Sequence, residues 1–343
     1  MTKRRFIVLD IIRIGFAVMV FLRHCYTIAG ISLKYGEIVM NTTSFVMSGF
    51  FIISGFSIQY THENENFGSG EGILHFYKKR IVTILPLYLF VIIGGVLFNR
   101  AWDFLIYVKQ LPVNILGIQT WYNEILSYLP YETTWFVSCL FLSYFIYPLL
   151  KTIIMSMSES RRVIVLLILL FVSVYSNFVV DWFGCSSIYP NPLFRFVEFF
   201  EGVILCTLFS TIKRLLDKIS LFLVILSSFV LVMDCTFFRS LSKYENVIML
   251  VFIMSVLIFD DKIKRFTALT RLIEYLGTLS YAFFILQMIF WEMAAKILSF
   301  LECTDYKIQI FILLIILVIL SAIAHSVIEI PVRRKLIQLL KLN

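Results

Sequence analysis

Read for hydrophobic and polar positions, the chain alternates long apolar runs with short polar connectors, most of them basic. The runs are about 20 residues long, enough to cross a hydrocarbon core about 30 Å thick at about 1.5 Å per residue. They predict ten membrane-spanning helices at approximately 6–26, 38–60, 81–99, 135–155, 161–180, 193–211, 218–237, 245–260, 276–300 and 308–331. A membrane β-barrel would need many strands of about 10 residues with strict alternation, a pattern the sequence lacks. With the N-terminus in the cytoplasm, one side collects Lys3, Arg4, Arg5, then Lys78, Lys79, Arg80, then Lys151, Arg161, Arg162, then Lys213, Arg214, Lys218. Lys262, Lys264, Arg265, Arg271 and finally Arg333, Arg334, Lys335, Lys341 follow on the same side. The other side holds only Lys34, Arg100, Lys109, Arg239, Lys243 and Lys307, so the positive-inside bias predicts both termini cytoplasmic.

The stretch 101–133 breaks the pattern. Trp102, Leu105, Ile106, Val108 and Leu111 suit an amphipathic helix, while Lys109, Pro112 and Asn114 spoil a span, so an interfacial or re-entrant segment is expected. The longest hydrophilic stretch inside, 61–79, centres on Gly68-Ser69-Gly70-Glu71-Gly72 and is too short to fold alone. The expected organisation is therefore one integral-membrane domain, 1–343, an all-α polytopic bundle with no appended soluble domain.

Composition agrees: 60% of the 343 residues are hydrophobic and only 15% charged, against about 25% charged in soluble domains. The net charge of +8 does not indicate nucleic acid, because the basic residues sit in short clusters between apolar runs as topology signals do. The first run is too long for a cleaved signal and carries Asp10 and Arg13, so it reads as a retained span. Cys25, Cys139, Cys185, Cys206, Cys235 and Cys303 lack metal-type spacing and suit apolar packing, although all but Cys206 fall in or near the outer half, where a disulfide could persist.

Because a charge at mid-membrane costs at least about 2.5–3.5 kcal/mol, the ionisable residues inside spans carry the information. The first span has Asp10 and Arg13 three apart near its inner end, and Arg23 and His24 at its outer end. Arg13 and His24 are separated by close to three whole turns, so they share a face roughly 16 Å apart along the axis. That arrangement suits a long anionic cosubstrate entering from inside with its reactive end deep in the membrane; equally, an Asp/Arg pair serves as a structural ion pair and a His at a span end as an interfacial residue. Arg195, Glu198 and Glu201, then Glu292 with Lys296, then His325 with Glu329, can each neutralise internally and suit structural or pathway-lining roles. Ser48-Gly49 and Ser54-Gly55 suit close helix contact; His62 and His75 carry no signal. Walker-type loops, His-Glu-x-x-His, Cys-x-x-Cys and Gly-x-Ser-x-Gly are absent, so ATP hydrolysis, zinc proteolysis, thiol redox and serine-hydrolase chemistry lack support.

The order of motifs resembles the integral-membrane acyltransferase family 3, whose members O-acylate surface carbohydrates. Leu9-Asp10-Ile11-Ile12-Arg13 followed by His24 is similar to the first-helix motif, and Phe50 to Phe56 to the second-helix signature. Tyr77-Lys78-Lys79-Arg80 with Leu85-Pro86 resembles the Arg-x-x-Arg-x-x-Pro stretch, and Trp135-Phe136-Val137 with Tyr144 and Pro148 the Trp-Phe-Leu…Tyr…Pro block. Pro192-Leu193 with Glu198-Phe199 and Gly202, then Leu276-Gly277-Thr278-Leu279-Ser280-Tyr281, then Glu329-Ile330-Pro331, complete the series in order. Two positions depart: Thr83 stands where the second Arg of the pair is expected, and Gln287 where the family commonly has His. A Gln orients a hydroxyl but cannot take its proton, so the acid/base load falls on His24.

The resemblance implies transfer of an acyl group, acetyl above all, from cytosolic acyl-CoA to a hydroxyl of an extracytoplasmic or lipid-linked surface glycan such as exopolysaccharide. His24 would act as general base with Asp10 holding Arg13; Arg13, Arg80 and Lys79 would meet the cosubstrate phosphates. Gln287, Ser280, Tyr281, Trp135 and Glu198 are expected on the substrate side, with no metal. The implied setting is the inner (cytoplasmic) bacterial membrane, multi-pass, with membrane lipids, acyl-CoA, a carbohydrate acceptor, and polysaccharide-synthesis proteins or a second copy as partners, and no nucleic acid. The rival reading is a transporter or exporter of a polysaccharide or lipid-linked intermediate, for which matching broken helices in two halves are not found.

Overall fold

The computed structural model describes residues 5–34, 36–98, 104–121, 134–176, 178–179, 189–238, 241–260, 267–301 and 304–342. Among them every regular element is helical: α1 (Ile7–Thr27), α2 (Gly36–His62), α3 (Gly70–Phe98), α4 (Phe104–Leu116), α5 (Thr134–Met155), α6 (Glu159–Val174), α7 (Pro192–Leu216), α8 (Ser220–Met233), α9 (Glu245–Leu257), α10 (Thr267–Leu301), α11 (Tyr306–Ala324) and α12 (Ile330–Leu339). Each of the ten apolar runs overlaps one of these helices, with ends that differ by several residues. Five described segments are long and apolar enough to cross a membrane: Gly36–His62, Thr134–Met155, Ser220–Phe237, Leu269–Gln287 and Tyr306–Leu339. The last of these continues from α11 into α12 through a π-helical turn at His325–Glu329, so the helix runs on past the expected end at 331.

The local chemistry of the ends follows the sequence. Asn191 accepts from the Leu193 N–H at 3.0 Å and Pro192 occupies the first helical position, which starts α7. Asp305 does the same for Lys307 at the start of α11, at 2.8 Å. At the end of α1 the N–H groups of Ile28 and Ala29 both donate to the His24 carbonyl, and Gly30, at φ +66°, supplies the left-handed residue that turns the chain.

Two compact units emerge. The first comprises residues 1–19, 37–67 and 146–277. Its α2 and α7 cross backbone to backbone: a Cβ at Gly55 would overlap the Phe199 carbonyl, and one at Gly202 the Ile52 carbonyl. The small-residue patch of the second span is thus a packing device, with Phe199 and Tyr147 among the fully buried side chains beside it. Lys151 is buried at the end of α5, where its ammonium donates to the His62 and Glu65 carbonyls and so closes the C-terminus of α2. His62 itself is buried, with Nδ1 2.7 Å from Glu65. The unit hides charge and exposes hydrocarbon: Glu198, Glu201 and Glu245 are buried, whereas Ile164, Leu167, Ile168 and Phe171 of α6 and Phe222, Ile225 and Phe229 of α8 are exposed. Water would impose the reverse arrangement; helices facing lipid account for it.

The second unit comprises residues 20–36, 68–145 and 278–343. Here α3 packs against α4, α12 and the π turn before α12. The described part of 101–133 is α4 and a single 3-10 turn at Gln119–Trp121. Its polar residues are tied down: the Tyr88 hydroxyl donates to the Asn114 carbonyl, Gln119 Nε2 donates to the Tyr88 hydroxyl at 3.2 Å and the Thr134 carbonyl at 3.0 Å, and Thr120 and Ser138 share a hydroxyl bond of 2.6 Å. Trp102 and residues 122–133 lie outside the described residues. So do Cys185 and Cys303; Cys25, Cys139 and Cys235 are buried thiols and Cys206 a partly exposed one.

Candidate functional site

In the second unit the C-terminal end of α1 meets α10 around an imidazole. His24 is buried, and its Nδ1–H donates to Gln287 Oε1 at 2.8 Å. With Nδ1 carrying the proton, Nε2 keeps its lone pair. Trp291, four residues beyond Gln287 on the same face of α10, presents its ring edge-on to the imidazole at 6.2 Å between centroids. The indole stacks on Phe21 at 5.5 Å, Phe21 lies 6.0 Å from Phe283, and Phe290 closes on the indole at 5.3 Å. Aromatic packing therefore sets the imidazole in a water-poor surround with one oriented polar neighbour. The segment after α1, the end of α10 and the start of α11 line a cavity of about 750 Å³, with Ala29, Ser32 and Lys34 from the first, Ala295 and Ser299 from the second, and Thr304, Tyr306 and Gln309 from the third. Ala295 stands about one turn past Trp291 along α10.

The first unit carries the other half of the first-helix motif. Asp10 is fully buried and bridged by two arginines, Arg5 Nε at 2.5 Å and an Arg13 guanidinium nitrogen at 3.3 Å. The second Arg13 terminal nitrogen donates to the Ser57 hydroxyl at 2.5 Å, and Arg5 reaches the Glu274 carbonyl at 3.0 Å. Gly277 lies against the Asp10 carboxylate, where any Cβ would stand 2.7 Å from it. Arg5 and Ser57 were not expected from the sequence, because Arg5 reads as a topology signal and Ser57 as one more small residue of α2.

On α3, Arg80 lies over the Phe76 ring at 5.7 Å and Lys79 is partly exposed. Thr83, in the place of the second family Arg, turns its hydroxyl to the Lys79 carbonyl at 2.8 Å and so satisfies itself along the helix. α12, whose Arg333, Arg334 and Lys335 are exposed, packs on α3. Tyr77, just ahead of this basic run, donates to the Phe145 carbonyl at 2.7 Å; desolvation pushes its phenol up from the ordinary value, so it stays a neutral donor.

The remaining expected residues take other places. The Tyr281 hydroxyl donates to the Ile84 carbonyl at 3.0 Å, fastening α10 to α3, and Ser280 is partly buried beside it. Trp135 is buried edge-on to Phe136, which packs on Phe284 of α10 at 5.1 Å. Glu198 belongs to the first unit, where Arg195 holds it at 2.8 Å and Ser48 donates to it at 2.7 Å. The expected pairing within the helix is found for Arg195 with Glu198 at 2.8 Å, and His325 Nδ1 lies 2.8 Å from Glu329. The pairing fails for Glu201, which instead accepts from Asn246 at 2.8 Å and Ser173 at 2.8 Å. The Glu292 side chain lies outside the described residues. Trp291 was missed altogether, although its i+4 spacing from Gln287 could have drawn attention to it.

A family model described as an acyltransferase domain matches residues 6–328. No curated protein matches the chain, and neither does any solved structure.

Proposed function

The chain belongs to the integral-membrane acyltransferase family 3, and from that premise we propose that it transfers an acyl group, acetyl in the first instance, from acyl-CoA to a hydroxyl of a surface glycan, with His24 as general base. The observation that carries this reading is the hydrogen bond from His24 Nδ1–H to Gln287 Oε1. It holds one tautomer and one ring orientation and leaves Nε2 as the proton acceptor, the role a buried carboxylate plays in hydrolytic triads.

The reaction balances on that nitrogen. As the acceptor oxygen adds to the thioester carbonyl carbon, its proton passes to His24 Nε2; when the carbon–sulfur bond breaks, the same proton goes to the departing CoA thiolate. Roughly 10²–10⁴-fold of rate rests on such a base. The cavity past Trp291 supplies hydroxyl groups from Ser32, Ser299 and Thr304, the Gln309 amide and the Tyr306 ring, a lining suited to the hydroxyls and apolar faces of a sugar. Arg80 and Lys79 supply cations for the donor phosphates, and Arg13, held by Asp10, enters on its place in the first-helix motif. An extracytoplasmic or lipid-linked acceptor and a site in the inner membrane complete the reading.

The test uses purified protein in detergent with radiolabelled acetyl-CoA titrated against wild type, Arg80→Ala and His24→Ala. Saturable binding that Arg80→Ala weakens and His24→Ala retains, with transfer at saturating donor lost in His24→Ala, supports the reading. Absence of binding in folded wild-type protein points to a transporter.

A further inference from the structure

Around His24 the polar groups are unevenly used. Gln287 is fully buried and spends Oε1 on the imidazole, yet its Nε2 finds no acceptor among the described residues. Trp291 is 5% exposed, and its Nε1–H likewise finds none. Buried N–H groups are almost always paired, so two orphaned donors four residues apart on one helix face, both beside a histidine, need an explanation. One neighbouring Phe stack fixes the indole ring, so the Trp291 donor is held in place rather than free to swing toward solvent.

We propose that the Gln287 Nε2–H and the Trp291 Nε1–H form the electrophilic site of this enzyme, binding the thioester carbonyl oxygen and stabilising the oxyanion that develops on it. The proposal rests on the acyl-transfer reading above and adds a catalytic residue, Trp291, that the family motifs do not include. As the acceptor oxygen bonds to the carbonyl carbon, its proton moves to His24 Nε2 and the carbonyl π pair moves onto oxygen, where the two N–H groups receive it. Collapse returns that pair to the carbon–oxygen bond and expels the thiolate, which takes the proton from His24. Donors fixed before the reaction and shielded from water are the arrangement that stabilises such charge best. Base and oxyanion donors then stand on adjacent helices, His24 on α1 and Gln287 with Trp291 on α10. Gln287 serves both: its oxygen orients the base and its nitrogen binds the charge.

The test follows CoA thiol release from acetyl-CoA by the full-length protein in detergent, with methyl glycosides as acceptor probe. Trp291→Phe keeps an aromatic ring and deletes the N–H; kcat is expected to fall about 10²-fold, with the KM for acetyl-CoA within about twofold and the pH profile unmoved. Gln287→Met is expected to lower kcat further and to alter the pH profile, because it also releases the imidazole. Should Trp291→Phe fail to fold, a benzothienylalanine at 291 removes only the N–H and reads the same loss. Unchanged kcat in either Trp291 variant, with His24→Ala inactive, overturns the oxyanion site and leaves the acyl-transfer reading standing. Activity retained in His24→Ala overturns both.

Discussion

His24 and Gln287, 263 residues apart in the chain, share a hydrogen bond of 2.8 Å inside an aromatic surround. On the proposed mechanism only the imidazole of this pair moves protons, because the Gln287 amide orients it without titrating. His24→Gln, close in size, is therefore expected to lose about 10²–10⁴-fold of acyl transfer while the protein remains monodisperse in detergent. Steady-state turnover of acetyl-CoA alongside size-exclusion chromatography checks both halves.

The crossing of α2 and α7 leaves no room for a side chain at Gly55 or Gly202, because carbonyl groups of the opposite backbone fill the space. Backbone cannot rotate away as a side chain can, so Gly55→Ala and Gly202→Ala are each expected to destabilise by about 1–3 kcal/mol or more. Gly15, on α1 with nothing near its Cβ direction, is the control: Gly15→Ala is expected to be neutral or to stabilise by about 0.5–1 kcal/mol. Thermal unfolding midpoints in one detergent order the three variants.

Asp10 and its two arginines are unequal partners. The carboxylate is buried, while the Arg5 side chain is 41% exposed and so partly screened by solvent. Arg5→Gln is expected to cost no more than about 1 kcal/mol, whereas Asp10→Ala, which strips Arg13 of its buried counter-charge, is expected to cost about 3 kcal/mol. Chemical denaturation of the purified variants measures the difference; equal losses would show that Arg5 rather than Arg13 carries the pair.

Glu198 and Glu201 look alike in the sequence and behave differently in the fold. Glu198→Ala leaves Arg195 buried without its carboxylate and is expected to cost about 3–5 kcal/mol. Glu201→Gln keeps one oxygen to accept from Ser173 and Asn246 but turns its amide nitrogen toward the Asn246 amide, and is expected to cost about 1–2 kcal/mol. Thermal stability of the two variants, expressed in parallel, decides whether the assignment of partners is correct.

The order and length of the apolar runs determined where helices form, since a chain in hydrocarbon must satisfy its backbone within each segment, and the motif order from Arg13 and His24 to Glu329 determined the family. The pairs three or four residues apart, Asp10 with Arg13, Arg195 with Glu198 and His325 with Glu329, were legible for the same reason: helical spacing alone brings them together. Spacing says nothing about groups on different helices. The bond from His24 to Gln287, the indole of Trp291 beside the imidazole, the Arg5 bridge to Asp10, and the removal of Glu201 from Arg195 to Asn246 and Ser173 were settled only by tertiary packing. Which face of a helix meets which neighbour depends on close contacts such as Gly55 on the Phe199 carbonyl, a property of two surfaces together that neither run of residues carries by itself.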